Sequence, residues 1–164
     1  MTSWIKAILF LPFNVLLIIP AIILYFTKYC YNYVSFWQII LGIILIIVGL
    51  FFLAWTIKLF ATVGKGTLAP WAPTQKLIIE GPYKYVRNPM ITGVLLVLAG
   101  EVVFLYSKEL LYWAVFFFIL NAIYFPLSEE KGLLKRFGKE YEEYKKHVPR
   151  WLPRLTPYYS SKID

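Results

Sequence analysis

The sequence predicts an all-α, polytopic membrane protein: four transmembrane helices followed by a C-terminal amphipathic helix at the lipid interface. Three observations predict it. Of 164 residues, 60% are hydrophobic and 16% charged, against roughly 45–50% and about 25% in soluble domains. The apolar residues gather into runs close to the ~20 residues that a helix needs to cross a bilayer. The cations collect in alternate connecting segments, as they do at cytoplasmic flanks.

The first run, 7–27, holds no charge. It exceeds a signal-peptide core and lacks a small-x-small cleavage site, so it reads as an anchor kept in the mature protein. The second, 36–57, is also uncharged and carries Gly42 and Gly49; the third, 90–106, carries Gly93 and Gly100 at the same spacing. Each pair falls on one side of its helix and permits close helix contact. The third run also contains Glu101, and a charge at mid-helix costs at least about 2.5–3.5 kcal/mol. Asn121, in the uncharged fourth run 110–128, reads as its hydrogen-bond partner. After Ser128, the apolar residues Leu134, Phe137, Tyr141, Tyr144 and Val148 are spaced as one helix face, with Lys135, Arg136, Lys139, Glu142 and Lys146 on the others. A basic amphipathic helix next to a span lies at headgroups, and Pro149 ends it.

These runs leave no room for a separate soluble domain, so 1–164 reads as a single integral-membrane domain. The loop 62–89 and the tail 129–164 share one side. All of the 17 Lys and Arg except Lys28 and Lys108 fall on that side, which predicts that both termini are cytoplasmic. Headgroups thereby account for the net charge of +8, and nucleic acid is excluded as a partner. Nothing implies an obligate protein partner. Cys30 reads as a packing residue, and the end, residues 161–164, matches no prenylation or retention signal.

Chemistry is expected on the cytoplasmic face, where sequence complexity is concentrated. Gly64 and Gly66 formally begin a dinucleotide fingerprint, but a membrane helix precedes them and a Pro-Trp-Ala-Pro stretch follows, which is the wrong context. What remains is a turn that lets backbone amides approach a ligand. The turn-rich stretch 80–89 leads into the third helix and carries Arg87, a guanidinium suited to two parallel bonds to a carboxylate or to lipid phosphate. Glu129 and Glu130 diverge by about 100° on a helix, so at least one faces the bundle or the headgroups. His147 has no partners for a metal, and no metal site is expected.

The second half of the chain resembles the isoprenylcysteine carboxyl methyltransferase and phospholipid methyltransferase family of integral-membrane enzymes that use S-adenosylmethionine. One block is Gly81-Pro82-Tyr83 followed by Tyr85, Arg87, Pro89 and Gly93. The other runs Glu129, Glu130, Leu133, Phe137, Gly138, Tyr141, Tyr144, Val148, Pro149, Arg150, Trp151 and Pro153. Gly64 and Gly66 resemble the glycine pair of the phospholipid branch. Asn88 stands where the family usually has histidine, and Ile91 where it has tyrosine; an asparagine still offers a donor and an acceptor.

The resemblance implies a methyltransferase acting on a lipid-bearing acceptor, with S-adenosylmethionine as cofactor and a lipid or prenylated substrate. It implies that Glu129 or Glu130 binds the cofactor's ammonium, that Gly64, Gly66 and Tyr83 shape the surrounding loop, and that Asn88 contacts the cofactor. Arg87, Glu130 and Arg150 are the expected catalytic residues, the arginines holding a carboxylate acceptor and the tail helix acting as a lid. Carboxyl O-methylation of an isoprenylcysteine is the first expectation, phospholipid N-methylation the second. A third is a non-catalytic scaffold that binds lipid through its basic tail.

Overall fold

A computed structural model of the chain describes residues 9–29, 33–66 and 74–159. Cys30, the Pro-Trp-Ala-Pro stretch 70–73 and the end 161–164 lie outside the described residues. Among the described residues every regular element is helical. A π-helical segment, Leu9–Ile18, contains Pro12 and passes into α1 (Ile19–Phe26), which has Pro20 in its first turn.

Helix α2 (Phe36–Thr62) opens with a capping box: Gln38 N donates to Ser35 Oγ at 3.4 Å, and Ser35 N donates to Gln38 Oε1 at 2.8 Å. Its 27 residues rise about 40 Å and carry it to Thr62, one turn past the expected end at 57. Helix α3 (Pro89–Leu105) ends at Tyr106, which takes a left-handed conformation. Ser107 then caps α4 (Lys108–Tyr124) by accepting from Leu110 N at 3.3 Å.

Between the fourth run and the tail the chain does not break. Helix α4 continues through a π-turn, Phe125–Glu129, into α5 (Glu130–His147). Pro126 sits at the start of that wider turn, where the altered bonding tolerates its lost N–H.

Two helices are long and apolar enough to cross a membrane: Phe36–Thr62 and the continuous Lys108–His147. Only 22% and 11% of their most apolar stretches are buried within the protein, the reverse of a soluble protein's core helix. Pro12–Phe26 and Pro89–Leu105 are apolar but shorter.

The glycine pairs meet as their spacing predicts. A Cβ on Gly42 would lie 3.0 Å from Gly100 O, and one on Gly49 would lie 2.6 Å from Gly93 O. Helices α2 and α3 therefore run antiparallel with their backbones in contact at two levels. Leu16, Leu53, Ile91, Val94, Val97, Leu98 and Phe117 form the main core from the first segment, α2, α3 and α4. Trp113 Nε1 donates to Val15 O at 3.1 Å, tying α4 to the first segment.

Two expectations are corrected. Asn121 does not meet Glu101; its Nδ2 donates to Phe117 O on its own helix at 2.8 Å, and Glu101 Oε2 is buried with no hydrogen-bond partner among the described residues. Leu134 is exposed, whereas Leu133 packs against the buried Tyr141, Tyr144, Val148 and Tyr158. Leu133, Phe137, Tyr141, Tyr144 and Val148, spaced four, four, three and four, form the buried face, and Gly138, with φ of 53° and ψ of −127°, bends α5 between them.

Candidate active site

The stretch before α3 is shaped by two glycine-demanding contacts. Gly81 has φ +55°, and a Cβ there would lie 3.0 Å from the Trp55 ring. The 3-10 turn Gly81–Lys84 follows. Tyr83 then packs with Leu59 and Ile78, and Ile78 presses on Gly64, where a Cβ would lie 2.9 Å from its Cδ1. Asn88 precedes Pro89 at the start of α3; its carbonyl accepts from Thr92 N and Thr92 Oγ1, both at 3.1 Å. Arg87 is thereby held at the mouth of the bundle.

The tail is sewn onto this stretch by main-chain bonds. Arg87 N donates to Pro149 O (2.9 Å), Arg154 N to Tyr85 O (3.0 Å) and Tyr158 N to Lys84 O (3.0 Å). Trp151 packs at a tilt against Phe118 and edge-on against Phe125, ring centroids 5.4 and 6.1 Å away. Tyr144 Oη donates to Tyr83 O at 2.7 Å.

Glu130 is the centre of the arrangement. Its side chain is 5% exposed, and Oε1 accepts from Arg87 Nη1 at 2.9 Å and Arg150 Nε at 2.7 Å. Oε2 meets Lys145 Nζ at 2.8 Å in a close ionic contact that lacks hydrogen-bond alignment. Burial pushes the carboxyl upward, but the Arg150 bond, the Lys145 contact and the Arg87 charge outweigh it and hold the group below the usual carboxylate range. Three cations around one anion leave the cluster with a net charge of about +2.

Two donors at adjacent residues are buried with no partner among the described residues: Arg87 Nε and Asn88 Nδ2. Buried donors are normally satisfied, so they point to an acceptor outside the described residues. The neighbouring phenols are neutral donors. Burial, then Tyr144 and Glu129, push the Tyr83 hydroxyl well above its ordinary value, and burial does the same for Tyr144.

Arg87, Glu130 and Arg150 are thus brought together. Glu129 stands beside them with no hydrogen bond or ion pair among the described residues, and its charge is felt at Tyr83. Gly64 joins Tyr83 through Ile78, but its amide and carbonyl already bond to Leu59 O (3.1 Å) and Gln75 N (2.8 Å). Gly66 N donates to Phe60 O at 3.3 Å, and among the described residues nothing joins Gly66 to the cluster. His147 lies apart, paired with Glu143 at 3.3 Å and stacked on Tyr158. Lys145 is the member that sequence reasoning missed. It sits in a run of charges that reads as solvated surface, and only the break at Gly138 turns it inward.

A model of the family described as phospholipid methyltransferase matches residues 37–140. That span includes Gly64, Gly66, Tyr83, Arg87, Asn88, Glu129 and Glu130 and stops before Lys145 and Arg150. Methanethiol S-methyltransferase 2 of Bradyrhizobium diazoefficiens is 36% identical over 73 residues, covering 44% of this chain and 27% of that protein. The match thus spans about a quarter of that relative's length. No solved structure matches the chain.

Proposed function

The chain belongs to the phospholipid methyltransferase family, and on that premise we propose that it transfers a methyl group from S-adenosylmethionine to an anionic, lipid-bearing acceptor, in the manner of an isoprenylcysteine carboxyl O-methyltransferase. The observation that carries the reading is the Glu130 cage with its two unpartnered donors. S-adenosylmethionine supplies an electrophilic methyl group on a cationic sulfur. Its carboxylate and hydroxyls suit Arg87 Nε and Asn88 Nδ2, and its ammonium suits Glu129. Glu130, which the resemblance also offers to the cofactor, serves instead to hold Arg87 and Arg150 in place.

The net positive cluster selects for a negative acceptor. A carboxylate is already ionised near neutral pH, so the bond from its oxygen to the methyl carbon forms as the carbon–sulfur bond breaks and its electron pair returns to sulfur. No proton has to be removed. The chain's part is to align the reacting atoms and keep water away, with the sewn-down tail as cover. The similar Bradyrhizobium protein is named for a thiol substrate, and a thiolate acceptor obeys the same electrostatics. Phospholipid N-methylation is the second reading, supported by the family description; it requires a base, and Glu129 is the residue proposed for it.

This reading includes four spans with both termini cytoplasmic. Every described lysine and arginine except Lys28 and Lys108 lies on the Glu130 side of the helices or near its end. Exposed Tyr25, Phe26, Tyr33, Trp37 and Tyr112 gather at the other end, where they suit an aromatic belt. Helix α3, about 25 Å long, spans by local thinning of the bilayer.

The test is transfer of labelled methyl from S-adenosylmethionine to total membrane lipids and to a prenylated cysteine mimic. Labelled ester, lost in Glu129→Gln and Arg87→Lys, is the expected result. Labelled amine lipid supports the second reading. Absence of cofactor binding by the folded protein in nanodiscs leaves a non-catalytic scaffold.

A further inference from the structure

The stretch that follows α5, residues 148–159, turns two leucines outward: Leu152 is 80% exposed and Leu155 99%. Isolated exposed leucines are ordinary on a protein surface, but these follow a side chain anchored in the bundle. Trp151 packs against the main core built by the first segment, α2, α3 and α4. The rings it touches, Phe118 and Phe125, both belong to the uncharged run 110–128, Phe118 two turns, about 10 Å, before Phe125 on the helix. The indole is therefore level with the apolar part of the long helix, and the leucines beside it have no protein over them.

We propose that Leu152 and Leu155 insert at the boundary between headgroups and acyl chains in the leaflet on the Glu130 side, so that residues 150–155 hold the tail to the membrane. Three features fit that partner. The lipid-facing surface of α4 continues into this stretch, since Phe118 is itself exposed where Trp151 meets it. Charge is complementary to an anionic leaflet: 148–159 holds Arg150 and Arg154 and neither Asp nor Glu, and Lys84 Nζ stands 4.5 Å from the centre of the exposed Tyr159 ring. Arg154 is fixed next to Leu155 by donating to His147 O at 3.1 Å and to Thr156 Oγ1 at 3.3 Å.

The third feature is the backbone. An unbonded N–H is costly among acyl chains. Pro153 and Pro157 have no N–H to strand, and that of Arg154, between the leucines and the second proline, is bonded to Tyr85 O. The inference rests on the spanning arrangement proposed above and is independent of methyl transfer.

The test attaches an environment-sensitive fluorophore at Thr156→Cys in the full chain, with the single cysteine replaced by Cys30→Ser. The protein is reconstituted in vesicles of phosphatidylcholine and phosphatidylglycerol. Val115→Cys, on the exposed side of α4, is the lipid reference, and Lys139→Cys, exposed on α5, the water reference. At 156, strong quenching by lipid brominated near the headgroup end of its chains is expected, with little quenching by aqueous iodide. Leu152→Ser/Leu155→Ser, at two exposed positions, should bring both readings to those of the water reference, and Leu152→Phe/Leu155→Phe should leave them unchanged. Iodide quenching at 156 equal to that at 139, while 115 is quenched by lipid, overturns the proposal alone and leaves the leucines to a protein partner. A serine variant that changes neither reading also overturns it. Absence of lipid quenching at 115 overturns the spanning arrangement and the proposal with it.

Discussion

Replacing Glu130 with glutamine is the sharpest perturbation of the cage. The shape and the Oε1 acceptor for both arginines are kept, but the cluster goes from about +2 to about +3, and an amide faces Lys145 Nζ across 2.8 Å. Removing one member of a buried ion cluster costs about 3–5 kcal/mol, and a chain of this size loses about 2–4 °C of Tm per kcal/mol. The expected drop is therefore about 6–20 °C in thermal unfolding of the purified protein in detergent at pH 7. The sign of the pH dependence follows from the direction of the shift. A carboxyl held below its ordinary value of 4.5 in the folded state contributes fully above that value, and its contribution is lost as pH falls through the lowered one. The gap between wild type and Glu130→Gln must then narrow on acidification below pH 4.5. Adding Lys145→Met to Glu130→Gln restores part of the loss by removing the stranded cation. A gap under about 2 °C at pH 7, or one that does not change on acidification, refutes the assignment of Glu130 as the electrostatic centre.

Gly49→Val places a Cβ within 2.6 Å of Gly93 O and forces α2 from α3, so a loss of at least about 1–3 kcal/mol is expected in the same melts. Gly132→Ala meets nothing within 4 Å and should instead gain about 0.5–1 kcal/mol from helix propensity. Gly138→Ala must adopt φ +53° with ψ −127°, a conformation that only glycine takes readily and that costs of order 1–3 kcal/mol or more, and should lower both Tm and methyl transfer by disturbing Lys145. Trp151→Ala removes the ring seated by Phe118 and Phe125; limited proteolysis should then cut within 148–159 faster than in wild type while the helices stay intact.

Much of the helical frame was legible because uncharged runs and glycines seven apart are local signals. Gly42/Gly100 and Gly49/Gly93 pair as two antiparallel helices of that pattern must. Arg87, Glu130 and Arg150 were placed in one site by motif resemblance, since no spacing rule connects a residue before α3 with one after α4. Lys145 was hidden because 15 residues of straight helix would set it about 22 Å from Glu130, and the bend at Gly138 leaves no mark in periodicity; Leu133 and Leu134 both fit the spacing of the buried face, so the pattern did not choose between them. Asn121 was assigned to Glu101 because both are polar in apolar runs, yet the amide closes on its own helix and needs no partner across the bundle. The continuity of α4 with α5 was obscured by Pro126, which ordinarily ends a helix and here is absorbed by a wider turn.

That wider turn, Phe125–Glu129, has an evolutionary consequence. It fixes the angle at which Glu130 leaves the long helix, and each residue inserted or deleted there swings the carboxylate by about 100°, away from both guanidinium groups. Side chains within the segment have room to drift, since none of them is buried. Its residue count does not, so relatives that keep the acid–base cluster should tolerate spelling changes between positions 125 and 129 while refusing any gap.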